Sequence, residues 1–597
     1  MAKKKIAIKY TARDFNSIKQ SLVDYAKRYY PETYQDFNDA SFGSLMLDTV
    51  SYVGDVLSYF VDYQANESFL ETAFERQNII RLSRQLGYNY ENISTAAGEI
   101  QVYALIPANE IGLGPDPTYY PIIREGSTFS NKEGKNFILT EDIRFDNPAN
   151  EIVVGRVDES TGIPTSYAVR ASGKIISGQI EETRIEAGSY EKFKKLLIPD
   201  DDVVEIISVN DFEGNEYFQV DNLTQNIVYK TFANKGDNSD TAKEYLRPVA
   251  VPRRFTFEYD GENYFLQFGH GSEDDISLNP IADPSSVALK MQGRDYVTDV
   301  DIDPTRLGKT DTLGISPSDT TLIVEYRKNS NNNPNAAANT ITNFVSLNID
   351  FVNITNLNST KLNLVRSSME VTNIDPVIGS SVEQSNEEIK VRALAHFATQ
   401  KRAVTDKDYE ALIYSMPSKL GSISRCNIVL DSDSFKRNIN AYVLGSDENS
   451  KLVTLNDTLK ENLKIWISEY KMINDTIDIL DAKIVNIGIE FEVVSDSNFN
   501  KGDIYRKCIE TLSERYQKAL QMGEPFYVTD VYYELNRING VVDTRNVKLV
   551  NKIGSKYSST SLNIETNMSA DGRFLRCPDN VCYEVKFPTV DITGIVK

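Results

Sequence analysis

Two histidines, His270 and His396, are all the imidazoles in a chain of 597 residues. A Ser-His-Asp triad or a three-His metal site is therefore nearly excluded. His270 sits between Gly269 and Gly271 in a turn and His396 falls in a helix, and neither setting supplies a general base with partners. The cysteines are Cys426, Cys508, Cys577 and Cys582. Cys577 and Cys582 are spaced as two metal ligands, but no second close pair completes a site. A hairpin through Pro578-Asp579-Asn580 is expected there, with Cys426 and Cys508 on core elements. Four thiols in so long a chain make no disulfide framework. Carboxylates cluster at Asp200-Asp201-Asp202, Glu273-Asp274-Asp275, Asp301 with Asp303, and Asp431 with Asp433. A glycosidase needs two carboxylates converging across a cleft, which spacing alone leaves open. Acidic turns read first as solvated surface, with calcium binding the chemistry they would otherwise support. No phosphate loop with its Lys is present, and Gly112-Leu113-Gly114 lacks a strand-to-helix setting. The residues predict no catalytic centre, no cofactor and no transition-metal site.

Size and charge narrow the remaining classes. A mass of 67.3 kDa predicts about four domains. Against 64 Lys and Arg stand 86 Asp and Glu, a net charge of −22 that repels phosphate backbones, so no nucleic-acid partner is expected. The basic run Lys3-Lys4-Lys5 is too short to reverse this. Ile6-Ala7-Ile8 behind it is too short for a signal-peptide core, and no apolar run of about 18 residues exists to span a bilayer. A chain made and kept in reducing cytosol, or assembled there into something larger, and no membrane partner are expected. The chain holds 33 Tyr and 26 Phe but one Trp, Trp466. Tyrosine richness suits both half-wet contact surfaces and β-rich folds.

The elements that must position these residues change in kind along the chain. Residues 1–95 read as a helical bundle. A long helix from Asp39-Ala40-Ser41 carries Leu45, Val53, Leu57 and Phe60, and a third helix is expected over Glu67 to Leu86, with Phe69 and Phe74 on it and Gly87 ending it. A helix apolar on more than one face needs more than one neighbour, so Leu45, Val53, Leu57, Phe60, Phe69 and Phe74 are candidate interaction residues. Residues 96–254 and 255–380 read as two β-rich regions, with strands at Ile100–Ile106, Val203–Ile207 and Phe255–Tyr259 and a hairpin turn at Asp260-Gly261. Asn329 to Asn339 reads as an exposed loop. Residues 381–555 read as a helical pair, opened by capping boxes Ser385/Glu388 and Thr405/Asp408, and then an α/β domain able to fold alone. That domain carries a half-buried strand over Val485–Val493, a helix with Ile504, Cys508, Leu512 and Tyr516, and a last helix capped by Thr529 and closed by Gly540. Residues 556–597 read as a strand-rich tail. The expected fold class is multidomain α+β: N-terminal helical bundle, central β-rich domains, and a C-terminal α/β domain with a β tail.

Three stretches together carry a resemblance. The first is Ala65-Asn66-Glu67-Ser68-Phe69-Leu70-Glu71-Thr72-Ala73 running on to Leu86-Gly87-Tyr88. The second is Phe268-Gly269-His270-Gly271, then Leu313-Gly314-Ile315-Ser316-Pro317 and Leu322-Ile323-Val324-Glu325-Tyr326-Arg327. The third is Arg402-Ala403-Val404-Thr405-Asp406-Lys407-Asp408-Tyr409-Glu410, with Ile538-Asn539-Gly540-Val541 downstream. In this order the chain resembles the baseplate J-like family, in particular the larger baseplate wedge proteins of T4-like contractile-tailed phages. The family usually has a glycine-rich turn after the Tyr326-Arg327 strand, where this chain has Asn329 to Asn339; Asn tolerates a left-handed backbone better than other non-glycine residues. The resemblance implies a structural subunit made in the host cytoplasm and located in the virion tail baseplate. It implies a dimer within a six-fold ring around the tail tube, contact with other wedge proteins and a sheath-initiating protein, and rearrangement as the sheath contracts. It carries over no catalytic residue. A polysaccharide hydrolase of the tail and a host-receptor adhesin are the rival classes; the single Trp speaks against the first and the lack of repeats against the second.

Overall fold

The computed structural model describes residues 13–597 apart from 34–37, 39–40, 92, 94, 110–112, 161, 235–243, 273–312, 330–333, 353–356, 380–383, 432–437, 448 and 555. The acidic clusters at 273–275 and at 301 and 303 lie outside the described residues, as do Asp39, Ala40, Gly112, Asp433 and part of the Asn-rich loop. The chain forms two compact units, residues 1–90 with 384–394, and residues 91–383 with 395–597.

In the first unit α1 (Phe15–Tyr29) is opened by Asp14, whose side chain accepts from the Ser17 amide, and α2 (Phe42–Asn66) by Ser41, which accepts from the Ser44 amide. The third helix, α3 (Arg76–Gln85), is shorter than the expected 67–86. Gly87 follows it with φ 88°, the left-handed terminator the sequence calls for. The Ser385/Glu388 capping box forms in both directions, at 2.9 and 3.3 Å, and opens the helix Asn386–Thr399. Residues of that helix up to Leu394 belong to this unit.

The second unit is built from sheets. Alternation in Ala97–Pro107 buries Ile100, Val102, Ala104 and Ile106, and this strand pairs along its length with the long strand Pro164–Ser177. Around them one sheet runs in the order Ile341–Ser346, Thr128–Asn131, Asn136–Leu139, Pro164–Ser177, Ala97–Pro107, Glu370–Thr372, with Glu151–Val157 also on Pro164–Ser177. A second sheet runs Gln179–Glu186, Thr321–Lys328, Val203–Asp211, Glu216–Gln219, Arg254–Tyr259, Tyr264–Phe268, Lys195–Ile198. Strands from both sides of position 254 therefore share each sheet. The Asp260-Gly261 turn is present as a longer loop: Tyr259 pairs with Tyr264, Gly261 takes φ 104°, and Asp260 Oδ1 accepts from the Glu262 and Asn263 amides.

Toward the C-terminus Ile489, Phe491 and Val493 are buried on Lys483–Ser495 and pack against Ile504, Cys508 and Leu512 of one helix and Val531 and Leu535 of another. Each such side chain contributes roughly 1.5–3 kcal/mol on burial. Thr529 does not cap the last helix. It is the second residue of Val528–Asn536, whose N-cap is Tyr527 without a side-chain bond. Nor does the 381–555 region close on itself. Val581–Glu584 and Ile592–Val596 from the tail complete the sheet on Lys483–Ser495, and Ala97 and Ile378 belong to the core formed with Leu459, Leu463 and Tyr409. No described helix is long and apolar enough to cross a membrane.

Candidate interaction site

Helix α2 is inverted relative to an ordinary amphipathic helix. Its buried residues are Ser44 and Ser51. With Leu47, Gly54 and Ser58 they recur at alternating spacings of three and four, one stripe of a helix that turns about 100° per residue. Helix α1 packs on α2, and small side chains let it approach: a Cβ added at Gly54 would stand 3.2 Å from Ile18 Cδ1. The Ser51 hydroxyl donates to the Leu47 carbonyl at 2.7 Å, so its burial leaves no donor unmet. Lys19–Asp48 at 2.7 Å and Arg13–Asp62 at 2.9 Å flank the helix pair.

The apolar residues face the other way. Leu45, Val53, Leu57 and Phe60 are exposed, Leu57 and Phe60 at 58% each, together with Phe42, Met46, Val50, Tyr52, Tyr59 and Val61. Phe69 and Phe74 are exposed as well, Phe74 at 82%. All six candidate residues thus lie at the surface of the first unit, four on one helix and two on the segment after it. Exposed apolar side chains thus gather on one helix and the segment that follows it.

Residues 67–75 carry helical spacing but fold as a turn around Glu67, a residue with no assigned role in the sequence reading. Its buried carboxylate accepts from the Phe74 amide at 2.8 Å, the Glu75 amide, and Asn78 Nδ2 at 2.9 Å. The Asn78 amide first, and then the backbone amides, hold this carboxyl below the usual range. The anion thus holds the two residues in front of α3, Phe74 and Glu75, and the Asn78 side chain in its first turn, while Glu75 as N-cap makes no side-chain bond. Tyr63 donates to Glu75 at 2.7 Å, and that bond pushes its phenol up to about 12. Residues 384–394 lie on the same turn. Arg76 donates to the Gln384 carbonyl, Asn386 Oδ1 and the Tyr90 hydroxyl, Asn386 donates to the Phe74 carbonyl, and Lys390 to the Glu71 carbonyl. Nothing in the sequence singles Glu67 out, since it stands between the polar residues Asn66 and Ser68.

Within the second unit two quoted motifs meet. Gly271 donates to Gly314 O at 3.0 Å, and Ser316 donates to Gly271 O at 2.9 Å. Gly269 is required by closeness: a Cβ there would lie 2.2 Å from the carbonyl oxygens of both Leu313 and Gly314. His270 stacks edge-on to Phe193, and its carbonyl accepts from Tyr190. His396 Nδ1 lies 3.4 Å from Ser415 Oγ, and burial, then Lys401, pull its imidazole below the ordinary range. In the third motif the Thr405/Asp408 capping box forms in both directions, and Tyr409 donates to Asp475 at 2.8 Å.

Cys577 donates to Val581 O and Cys582 to Leu520 O, and burial pushes both thiols up to about 12. The expected hairpin is corrected: Pro578 O accepts from Val581 in a turn, but Phe574–Leu575 pairs with Phe526–Tyr527, and Val581–Glu584 with Lys483–Ser495. Among the described residues no group of three His, Cys, Asp or Glu converges as a metal site. Asp200 is engaged by Tyr326 at 2.5 Å and by Lys328.

Residues 14–85, the helices just described, match the family described as bacteriophage baseplate protein, N-terminal domain. The helical segment is therefore similar to a baseplate domain, and the match stops before the sheets begin. No curated protein matches the chain. Among solved structures, a chain of the cryo-EM structure of the anti-feeding prophage baseplate, 6-fold symmetrised, aligns at 10% identity over 97% of this chain and 99% of that one, with a TM-score of 0.27. A chain of the type VI secretion system TssK-TssF-TssG baseplate subcomplex aligns at 7% identity over 74% and 96%, with a TM-score of 0.25.

Proposed function

We propose that this chain is a structural wedge subunit in the baseplate of a contractile phage tail, without catalytic activity. On this reading it self-associates within a six-fold ring around the tail tube, joins other wedge proteins and a sheath-initiating protein, and changes its contacts when the sheath contracts. One observation carries the reading: the segment that matches the baseplate N-terminal domain is the segment whose long helix turns its apolar side outward. Such a face favours a covering partner, as in an assembly.

The test is a pair of charges. Leu57→Asp with Phe60→Asp places two carboxylates on the exposed face, where they leave the α1 seam untouched. A charge forced into a desolvated seam without a partner costs several kcal/mol. The variant should keep the protease resistance of the isolated chain and fail to enter baseplates when it replaces the parent in infected cells. Normal incorporation into complete tails would overturn the reading of this face. Loss of protease resistance in residues 13–90 would show instead that both side chains serve the unit's own core.

A further inference from the structure

Edge strands are usually protected against pairing by charge, by proline or by one buried face. The edge strand Gln179–Glu186 follows that rule: it carries Glu181, Glu182, Arg184 and Glu186, and its residues alternate between half-buried and exposed. The Glu151–Val157 strand is less guarded: Glu151 and Arg156 are its only charges, near its two ends, and the ladder shifts register around Gly155. All seven of its residues are exposed, on both faces, and Ile152, Val153, Val154 and Val157 lie between 45% and 58% exposed. Its single strand neighbour among the described residues is Pro164–Ser177. The other edge therefore presents backbone donors and acceptors that only a second extended backbone satisfies in register.

We propose that Glu151–Val157 is a seam at which two copies of this chain join, the two strands pairing antiparallel about a two-fold axis. Charge selects both the partner and the direction. Glu151 and Arg156 stand near opposite ends of the strand with Ile152, Val153, Val154 and Gly155 between them, and the register shift at Gly155 sets Arg156 opposite Ser166, on the same face as Glu151 opposite Arg170. Antiparallel pairing with a second copy brings each Glu151 end toward the other copy's Arg156 end, whereas parallel pairing sets like against like. Glu151 holds Arg170 through Oε2 at 2.7 Å, and its Oε1 has no partner among the described residues, so a second guanidinium can be accepted without breaking the first pair. Two-fold contacts are self-complementary by construction, and a strand always matches its own copy in length. The inference does not rest on the baseplate reading; it uses a different face in a different unit.

Single cysteines at Ile152, Val153, Val154 and Arg156 of the full chain test it under mild oxidation. In a two-fold antiparallel pair one residue lies opposite itself. Moving one residue along offsets the two copies by roughly 7 Å along the strands, giving a Cα separation of about 8 Å, beyond disulfide reach. The native background is low, since Cys426, Cys508 and Cys582 are buried and burial pushes the Cys577 thiol up to about 12. We expect a disulfide-linked dimer centred on one position, with yield falling about tenfold at the next. Ile152→Lys with Val154→Lys, both on exposed positions, should leave melting unchanged and weaken the dimer about tenfold in sedimentation equilibrium. The inference is overturned by dimer yields at the parent level at every position, by equal yields at all of them, or by a lysine variant that dimerises as the parent does.

Discussion

Replacing Arg327 by Met should destabilise the second unit more than any surface substitution in this chain. Arg327 is 1% exposed and stands directly across from Glu205, to which Nε donates at 2.7 Å. Its Nη1 donates to Ser177 O at 2.6 Å and to Thr95 Oγ1 at 3.2 Å. The guanidinium therefore ties the sheet holding Val203–Asp211 to the ends of the strands of the other sheet. Removing one member of a buried ion pair costs about 3–5 kcal/mol. Glu205 keeps a side-chain exposure of 29%, so water recovers part of that. The buried Nη2 has no partner among the described residues, so its desolvation cost disappears with the substitution. The expected loss is about 2–4 kcal/mol for Arg327→Met, and about half that for Arg327→Lys, which keeps the charge but not the fork. Urea unfolding followed by pulse proteolysis of the full chain, with cleavage read in residues 95–330, measures both. A Met variant within about 0.5 kcal/mol of the parent, or a Lys variant equal to it, would refute the reasoning.

Three further outcomes follow from the same geometry. Gly269→Ala should cost about 1–3 kcal/mol, because the new methyl meets two backbone oxygens rather than a movable side chain; equal melting temperatures would contradict the packing of the two glycine motifs. His396 binds its proton less readily in the fold than in the unfolded chain, for which the ordinary value is 6.5. Its contribution is then full above pH 6.5 and is lost as pH falls through the depressed folded value, so His396→Gln should flatten the loss of stability on the acid side, and an unchanged profile would discount the group. Elemental analysis of untagged protein should find zinc far below one per chain, and a full equivalent that disappears with Cys577→Ser and Cys582→Ser would reverse the reading of those thiols.

Much of the fold was legible because its signals are local. A β-branched run located the strand within Ala97–Pro107 and period-two alternation the one within Lys483–Ser495, both capping boxes closed as their spacing predicts, and Gly87 stopped α3. Local signals misled where a single side chain redirected the backbone. The apolar spacing of Phe69, Ala73 and Ile80 fits a helix, yet the Glu67 carboxylate draws the Phe74 and Glu75 amides to itself and delays the helix to Arg76. Thr529 has the chemistry of a cap but sits after the first helical residue. Sheet membership was not legible, because pairing between Asn131 and Ile341, or between Ile489 and Ile592, joins residues distant in the chain that no local pattern connects. The candidate face was legible as an excess of apolar positions on α2. Its direction was not, since only packing reveals that Ser44, Ser51 and Gly54 take the inner side.

The position of the chain in the particle is the most direct measure of the account. Purified tails labelled with gold-conjugated antibody against this chain should carry gold at the baseplate end, in numbers consistent with a ring. Gold along the tube or on fibres, or tails that hold none of the chain, would contradict it.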